Sequence, residues 1–322
     1  MPRPITTVDA LISAGLAPEA ARPVLDQVAK RYAVALTPAV VGLIEGPGDP
    51  IARQYVPDAA ELLTQPWELD DPTADAPFTP VKGVVHRYPD RALLKPLLAC
   101  PVYCRFCFRR EHVGPDGGLL SPAELEAALA WFARTPAVRE AILTGGDPLM
   151  LSPRRLGGML RRLAELPHIE LLRLHTRVPV AAPSLVTEAL CAALPRNKPV
   201  YVCVHANHAR EFSADAMQAL AALHGAGVVL LGQSVLLAGV NDSTEALEDL
   251  FRAMLRARVK PYYLHQLDPA PGTARFAVPV ERGRALLRAL RGRVSGLAWP
   301  TYVQEAPGGS GKKPLGPVWE VG

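Results

Sequence analysis

Apolar and polar positions follow two different patterns along this chain, and the change comes near Arg91. Before it, Val8 to Ala14 and Glu19 to Tyr32 carry apolar residues at helical spacing, while Trp67 to Pro80 is acidic and proline-rich, which predicts an extended connector. After it, short apolar runs alternate with amphipathic stretches. The runs predict strands at Ala92 to Leu98, Glu140 to Leu143, Glu170 to Leu174, Pro199 to Val204, Val228 to Gln233 and Pro261 to Leu267. The stretches predict helices at Ala123 to Ala133, Pro153 to Glu165, Ser184 to Ala193, Ala214 to His224 and Thr244 to Ala257, with a last helix at Glu281 to Leu290. Ser121-Pro122 and Ser152-Pro153 read as helix starts, with serine at the N-cap and proline in the first turn.

Strand–helix alternation implies parallel strands joined by right-handed crossovers. Six such units predict an α/β fold, a partial (β/α)6 TIM-like barrel, with an open doubly wound sheet as the alternative. The expected division is a helical segment and connector over 1–80, the barrel over 81–300 and a tail over 301–322. Polar residues gather at or just after the apolar runs: Cys100, Thr144-Gly145-Gly146-Asp147, His175, His205, Gln233 and Asp268. In a parallel barrel these strand ends share one rim, where active sites are built.

Composition narrows the class. About half of the 322 residues (49%) are hydrophobic and 20% charged, the balance of a soluble globular enzyme. The formal net charge is only +4 and the basic residues are dispersed, which argues against a nucleic-acid groove. Met1 to Gly15 lacks a signal-peptide pattern. The most apolar window, Val228 to Val240, is too short for a membrane span and is broken by Gly232, Gln233 and Ser234. Five cysteines, three of them crowded together, fit a reducing cytoplasm and a metal centre better than a disulfide framework.

Those three, Cys100, Cys104 and Cys107, have the spacing CxxxCxxC. Three thiolates so close can ligate three irons of a [4Fe–4S] cubane and leave the fourth open to a small chelating ligand. Phe106, just before the third cysteine, would shield the cluster. The competing reading is zinc, but zinc wants four ligands and no nearby cysteine completes a set. The tail Gly308-Gly309-Ser310-Gly311-Lys312-Lys313 lacks the Ser or Thr that a phosphate loop needs after its lysine. A lysine on a glycine loop can instead form an imine with an aldehyde cofactor, although alone it reads as a mobile surface lysine.

Together these segments resemble the lysine 2,3-aminomutase family. The likeness covers roughly residues 65 to 315. It runs from His86-Arg87-Tyr88-Pro89-Asp90-Arg91 through the cysteines and Arg109-Arg110, then through Gly145-Gly146-Asp147, Gln233-Ser234-Val235-Leu236-Leu237 and Pro261-Tyr262-Tyr263. It ends in Ala306-Pro307-Gly308-Gly309-Ser310-Gly311-Lys312.

The resemblance implies a radical S-adenosylmethionine enzyme. Its cluster would cleave S-adenosyl-L-methionine to a 5′-deoxyadenosyl radical, and the 2-amino group of L-lysine, held as an imine of pyridoxal 5′-phosphate, would move to C3. It implies that Lys312 carries the pyridoxal phosphate and that Arg87, Tyr88 and Arg91 help to hold it. Gly145, Gly146 and Asp147 would cradle S-adenosylmethionine together with His205 and Gln233. Arg109 would clamp the substrate carboxylate, while Asp268 and Glu305 would neutralise its far ammonium and reject glutamate. An electron donor such as flavodoxin or ferredoxin is implied as partner, and no nucleic acid or membrane.

The chain departs from the free-lysine enzymes at Glu305, one methylene longer than the usual aspartate, and at His265, where tyrosine is usual. With Cys107-Phe108-Arg109-Arg110 and Asp147-Pro148-Leu149-Met150, both lean towards enzymes that make (R)-β-lysine for elongation factor P. Ending at Gly322, the chain lacks the extension by which larger aminomutases assemble, which leaves a homodimer open. A cluster-binding homologue without turnover is the reading from another class; retention of Lys312, Arg109, Asp268 and Glu305 argues against it.

Overall fold

The computed structural model describes residues 3–114, 117–306 and 311–317, so Pro307 to Ser310 of the glycine-rich tail lie outside the described residues. A single nine-stranded sheet runs in chain order. Its strands are β1 (Val84–Tyr88), β2 (Arg91–Leu97), β3 (Glu140–Gly145), β4 (Leu171–Thr176), β5 (Val200–His205), β6 (Val229–Val235), β7 (Lys260–His265), β8 (Thr301–Gln304) and β9 (Lys313–Gly316). Strands β2 to β8 are parallel, and β1 and β9 add antiparallel hairpins at the two ends.

The six predicted strands are all present. The seventh parallel strand, β8, and the two antiparallel ones were not expected. They are four or five residues long, and β9 contains Pro314, which an edge strand tolerates because one side of its backbone is unpaired.

The helices are α1 (Val8–Ser13), α2 (Arg22–Arg31), α3 (Pro38–Val41), α4 (Pro50–Tyr55), α5 (Pro122–Ala133), α6 (Pro153–Ala164), α7 (Val178–Ala181), α8 (Glu188–Ala192), α9 (Ala214–Gly225), α10 (Thr244–Arg256) and α11 (Val280–Leu290). Ser121 and Ser152 cap α5 and α6 as the sequence predicts. The same device starts the unpredicted α3 and α4, where Thr37 and Asp49 accept backbone N–H bonds and proline follows. The helix expected over Ser184 to Ala193 is interrupted: a 3-10 turn covers Pro183–Leu185, and Thr187 caps a separate α8.

Strand alternation decides what faces where. In β4, Leu172 and Leu174 are fully buried against the helical layer, while Leu171, Arg173 and His175 point into a central cavity. Each such fully buried leucine contributes roughly 1.5–3 kcal/mol by leaving water. The same two-residue period sends Arg91 and Leu93 of β2, Glu140, Ile142 and Thr144 of β3, and Leu231, Gln233 and Val235 of β6 inward.

The N-terminal segment packs on the loop that carries the cysteines. Val28, Tyr32 and Ala35 bury Tyr103, and Val34, Val40, Ile51 and Tyr55 bury Val102. Glu61, fully buried, receives Arg105 at 2.5 Å and also Arg110, so one arginine within the cysteine run and one just after it are tied to the segment before the sheet.

Candidate active site

The cavity enclosed by the sheet measures about 740 Å³, within the range of small-molecule sites. Every residue singled out in the sequence lines it: Cys100, Cys104, Cys107, Arg87, Tyr88, Arg91, Arg109, Gly145, Gly146, Asp147, His205, Gln233, Asp268, Glu305 and Lys312. The rim draws them together because each follows or ends a parallel strand, the two hairpins excepted.

The three thiols are free and partly buried. Burial pushes each of them up, Cys107 to about 11; the charge of Cys104 adds to it at Cys107, that of Asp147 and then of the other two thiols at Cys100, and that of Glu211 at Cys104. Among the described residues no group of three or more His, Cys, Asp or Glu is arranged around a single metal ion. Three thiols on one short loop suit a cubane, which takes one thiolate on each of three irons. Arg177 donates to the Cys104 sulfur at 3.5 Å and is itself held by Glu211 at 2.5 Å and Gln54 at 2.6 Å. Sequence reasoning missed Arg177, although it stands two residues beyond His175 on the same rim.

Gly146 is required by packing. A Cβ there would collide with the backbone of Leu98 and Ala99, and its N–H donates to the Leu97 carbonyl at 2.8 Å. The cysteine loop therefore rests directly on the end of β3. The Asp147 carboxylate accepts from Thr176 at 2.7 Å, from Arg177 N–H at 2.6 Å and from the Val178 and Leu149 N–H groups. With both oxygens engaged, Asp147 locks β3 to the turn after β4.

Glu305 and Lys312, just past β8 and just before β9, also line the cavity. Lys312 Nζ lies 2.9 Å from Glu305, whose other oxygen takes Arg87 at 2.5 Å. The Lys312 N–H donates to the Tyr88 hydroxyl at 2.8 Å, and Arg91 stacks 3.6 Å over the Tyr88 ring. Gly311 adopts φ +113° against that ring, where any Cβ would clash. Lys312 is thus presented into the cavity by contacts to both ends of the open sheet. Buried polar atoms of the lining without a hydrogen-bond partner, His175 Nε2 and His205 Nε2 among them, fit a site that takes a polar ligand.

Electrostatics divides the remaining acids. Burial, and then neighbouring Glu305, push Asp268 up to about 7. Asp75, from the connector, is held low by Arg109, Lys95 and Arg87 despite its burial. Burial drives His175, His205 and His265 down, His265 to about 3 with Lys312 adding to the effect, so all three imidazoles are neutral. Asp75 and Lys95 carry no local sequence signal, since one lies in an irregular segment and the other in an apolar run.

A model of the Radical SAM superfamily matches residues 94–251. The L-lysine 2,3-aminomutase of Acetoanaerobium sticklandii is 40% identical over 290 residues, which cover 89% of this chain and 70% of that protein. The chain belongs to the lysine 2,3-aminomutase family of radical S-adenosylmethionine enzymes. Membership of this family makes the protein a radical 2,3-aminomutase, an isomerase, and brings with it a [4Fe–4S] cluster, S-adenosylmethionine and pyridoxal phosphate. The aminomutase family is not uniform in substrate: the glutamate 2,3-aminomutase of Clostridioides difficile is 34% identical over 319 residues, 98% of this chain and 75% of that one. Among solved structures, SuiB of Streptococcus suis bound to S-adenosylmethionine superimposes with a TM-score of 0.51 at 14% identity, covering 68% of this chain and 51% of that one, a likeness of fold. No described helix of this aminomutase is long and apolar enough to cross a membrane.

Proposed function

We propose that this aminomutase acts on L-lysine and moves its 2-amino group to C3, giving 3,6-diaminohexanoate. The observation that carries the reading is the pair Asp268 and Glu305, two carboxyl groups sharing one cavity wall, one of which is pushed up to about 7 by burial and the other's charge. Such a pair favours a cation between its members. Around the substrate space the acids Asp75, Asp268 and Glu305 are interleaved with Lys95 and Arg109. A wall that carries both signs suits a molecule with one carboxylate and one distal ammonium. Glutamate, with two carboxylates, would leave an uncompensated charge in a closed site.

In this reading Cys100, Cys104 and Cys107 hold three irons, and Gly145, Gly146, Asp147, His205 and Gln233 surround S-adenosylmethionine. Arg87, Tyr88, Arg91 and Lys312 hold pyridoxal phosphate. When bound, the reduced cluster with S-adenosylmethionine supplies a carbon radical able to take a hydrogen atom, and pyridoxal phosphate supplies a π-system that spreads an unpaired electron. Arg109 binds the substrate carboxylate, where its planar guanidinium offers paired N–H donors. Asp268 and Glu305 fix the far ammonium, which holds the C3 hydrogen at one place in the cavity. Phe106 and Leu267 present apolar surface between these groups and exclude water.

The test is an anaerobic assay of reconstituted protein with dithionite, S-adenosylmethionine and either lysine or glutamate, read by chiral chromatography. Formation of β-lysine is expected; none formed with both cofactors bound overturns the reading. His265 and Glu305 favour the elongation factor P branch as a second reading, and an R product would support it.

A further inference from the structure

The expected carboxylate clamp, Arg109, already holds a carboxylate of its own chain. Asp75 comes from the proline-rich connector, about ten residues before β1, and reaches into the wall of the cavity. It accepts a hydrogen bond from Arg109 Nη1 and lies 3.5 Å from Lys95 Nζ and 3.6 Å from Arg87 Nη2. The carboxylate is itself fixed. The Thr73 hydroxyl donates to it at 3.2 Å, its own N–H donates to Asp71 at 3.0 Å, and its carbonyl accepts the Thr79 hydroxyl at 2.9 Å.

Resting on the proposed role of Arg109, we propose that Asp75 is a positioning residue, holding one end of the Arg109 guanidinium so that the other edge receives the carboxylate of the substrate. Arg109 Nε and Nη2 make no hydrogen bond among the described residues, and Phe108 supports the guanidinium from one face at 4.7 Å. A planar fork anchored at one nitrogen keeps a two-nitrogen edge for a second carboxylate. Asp75 also separates three cations, Arg87, Lys95 and Arg109, that would otherwise face one another across a few ångströms. Removing it would let them repel, and Arg109 would swing away from the place where the substrate needs it. The opposite arrangement, in which Asp75 is a plug that the substrate must displace, is disfavoured because its carboxylate is fixed by the connector and by two cations besides Arg109.

The experiment compares reconstituted holoenzyme carrying Asp75→Asn, Asp75→Glu, Thr73→Val or Arg109→Lys, each checked for iron and pyridoxal phosphate content, on L-lysine and on L-lysinamide. Asp75→Asn is expected to raise the KM for lysine roughly ten- to a hundredfold with a smaller change in kcat, the span of a lost charge-assisted hydrogen bond. Asp75→Glu is expected to recover most of that loss. The KM for lysinamide, which has no carboxylate to clamp, is expected to be the same in Asp75→Asn and the unaltered enzyme. If Asp75→Asn does not fold, Thr73→Val, which frees the carboxylate, is expected to raise the KM for lysine a few-fold. An unchanged or lowered KM for lysine in Asp75→Asn, or in Thr73→Val where Asp75→Asn does not fold, with Arg109→Lys still raising it, overturns the positioning role alone. If Arg109→Lys leaves lysine and lysinamide equally used, the clamp reading itself falls.

Discussion

Arg87 of β1 and Glu305, one residue past β8, form a 2.5 Å ion pair between opposite ends of the open sheet, with both side chains at most 10% exposed. Lys312 takes the other Glu305 oxygen, so the pair sets the carboxylate that faces the amine proposed to carry pyridoxal phosphate. Arg87→Leu should leave Glu305 to Lys312 alone and remove a guanidinium from the group of residues proposed to hold pyridoxal phosphate. The affinity for pyridoxal phosphate is expected to fall by about 1.5–3 kcal/mol, ten- to a hundredfold, in an absorbance titration. The iron content should be unchanged, because among the described residues Arg87 pairs with Glu305, Asp75 and Phe78 rather than with the cysteine loop.

Lys312 meets Tyr88 through its backbone and Glu305 through its side chain. Lys312→Ala keeps the first contact and removes the second. The visible band of lysine-bound pyridoxal phosphate should disappear while the charge-transfer absorbance of the cluster stays. Retention of the first band would assign the attachment to another residue.

Asp268 gives the site a pH dependence. It is surrounded by Glu305, Lys312, Arg109 and Arg87, and its pKa stands near 7 because burial and Glu305 outweigh the cations. Below that pH the empty site holds it protonated, and it cannot pair with an ammonium. The KM for lysine should therefore fall as pH rises through about 7, and Asp268→Asn should raise the KM and flatten that profile. The same shift carries a stability consequence with its own sign. A raised carboxyl pKa favours the fold below the unfolded value near 4 and loses that advantage as pH rises towards 7, so Asp268→Asn should raise Tm above pH 7. Urea unfolding at pH 5 and pH 8 measures it.

How much was legible follows from the length of the signals. The six long parallel strands show as apolar runs, and the rim residues sit at their ends, so Cys100, Gly146, His205 and Asp268 could be placed before any coordinates. Strands β8 and β9, four residues each, bury too little to make a run, yet they carry Glu305 and Lys312 into the cavity. Arg173 was hidden for a different reason. It is an inward residue of a strand whose outward leucines dominate the pattern, and it pairs inside the cavity with Glu140 at 2.9 Å, one strand away. Asp75 and Glu61 reach their partners from irregular segments, where no period announces which side chain turns inwards.

Glu61 yields the last prediction. It is fully buried, accepts from Arg105 Nε at 2.9 Å and Nη2 at 2.5 Å, binds Arg110, and also caps the turn at Asp58 through a 2.8 Å N–H bond. Arg105 stands between Cys104 and Phe106, and Arg110 three residues past Cys107, so this one carboxylate grips the cysteine run from within and just beyond its end. Glu61→Gln keeps the shape but leaves two buried guanidinium groups short of a counter-charge. Breaking a buried ion pair from one side costs about 3–5 kcal/mol, a large part of the 5–15 kcal/mol that typically holds a domain together. The variant should melt well below the unaltered protein and, at temperatures where it is still folded, should reconstitute less iron per chain, because the loop that presents the thiols has lost its anchor. An equal Tm together with equal iron content would mean that the apolar contacts of Val102 and Tyr103 suffice to hold the loop.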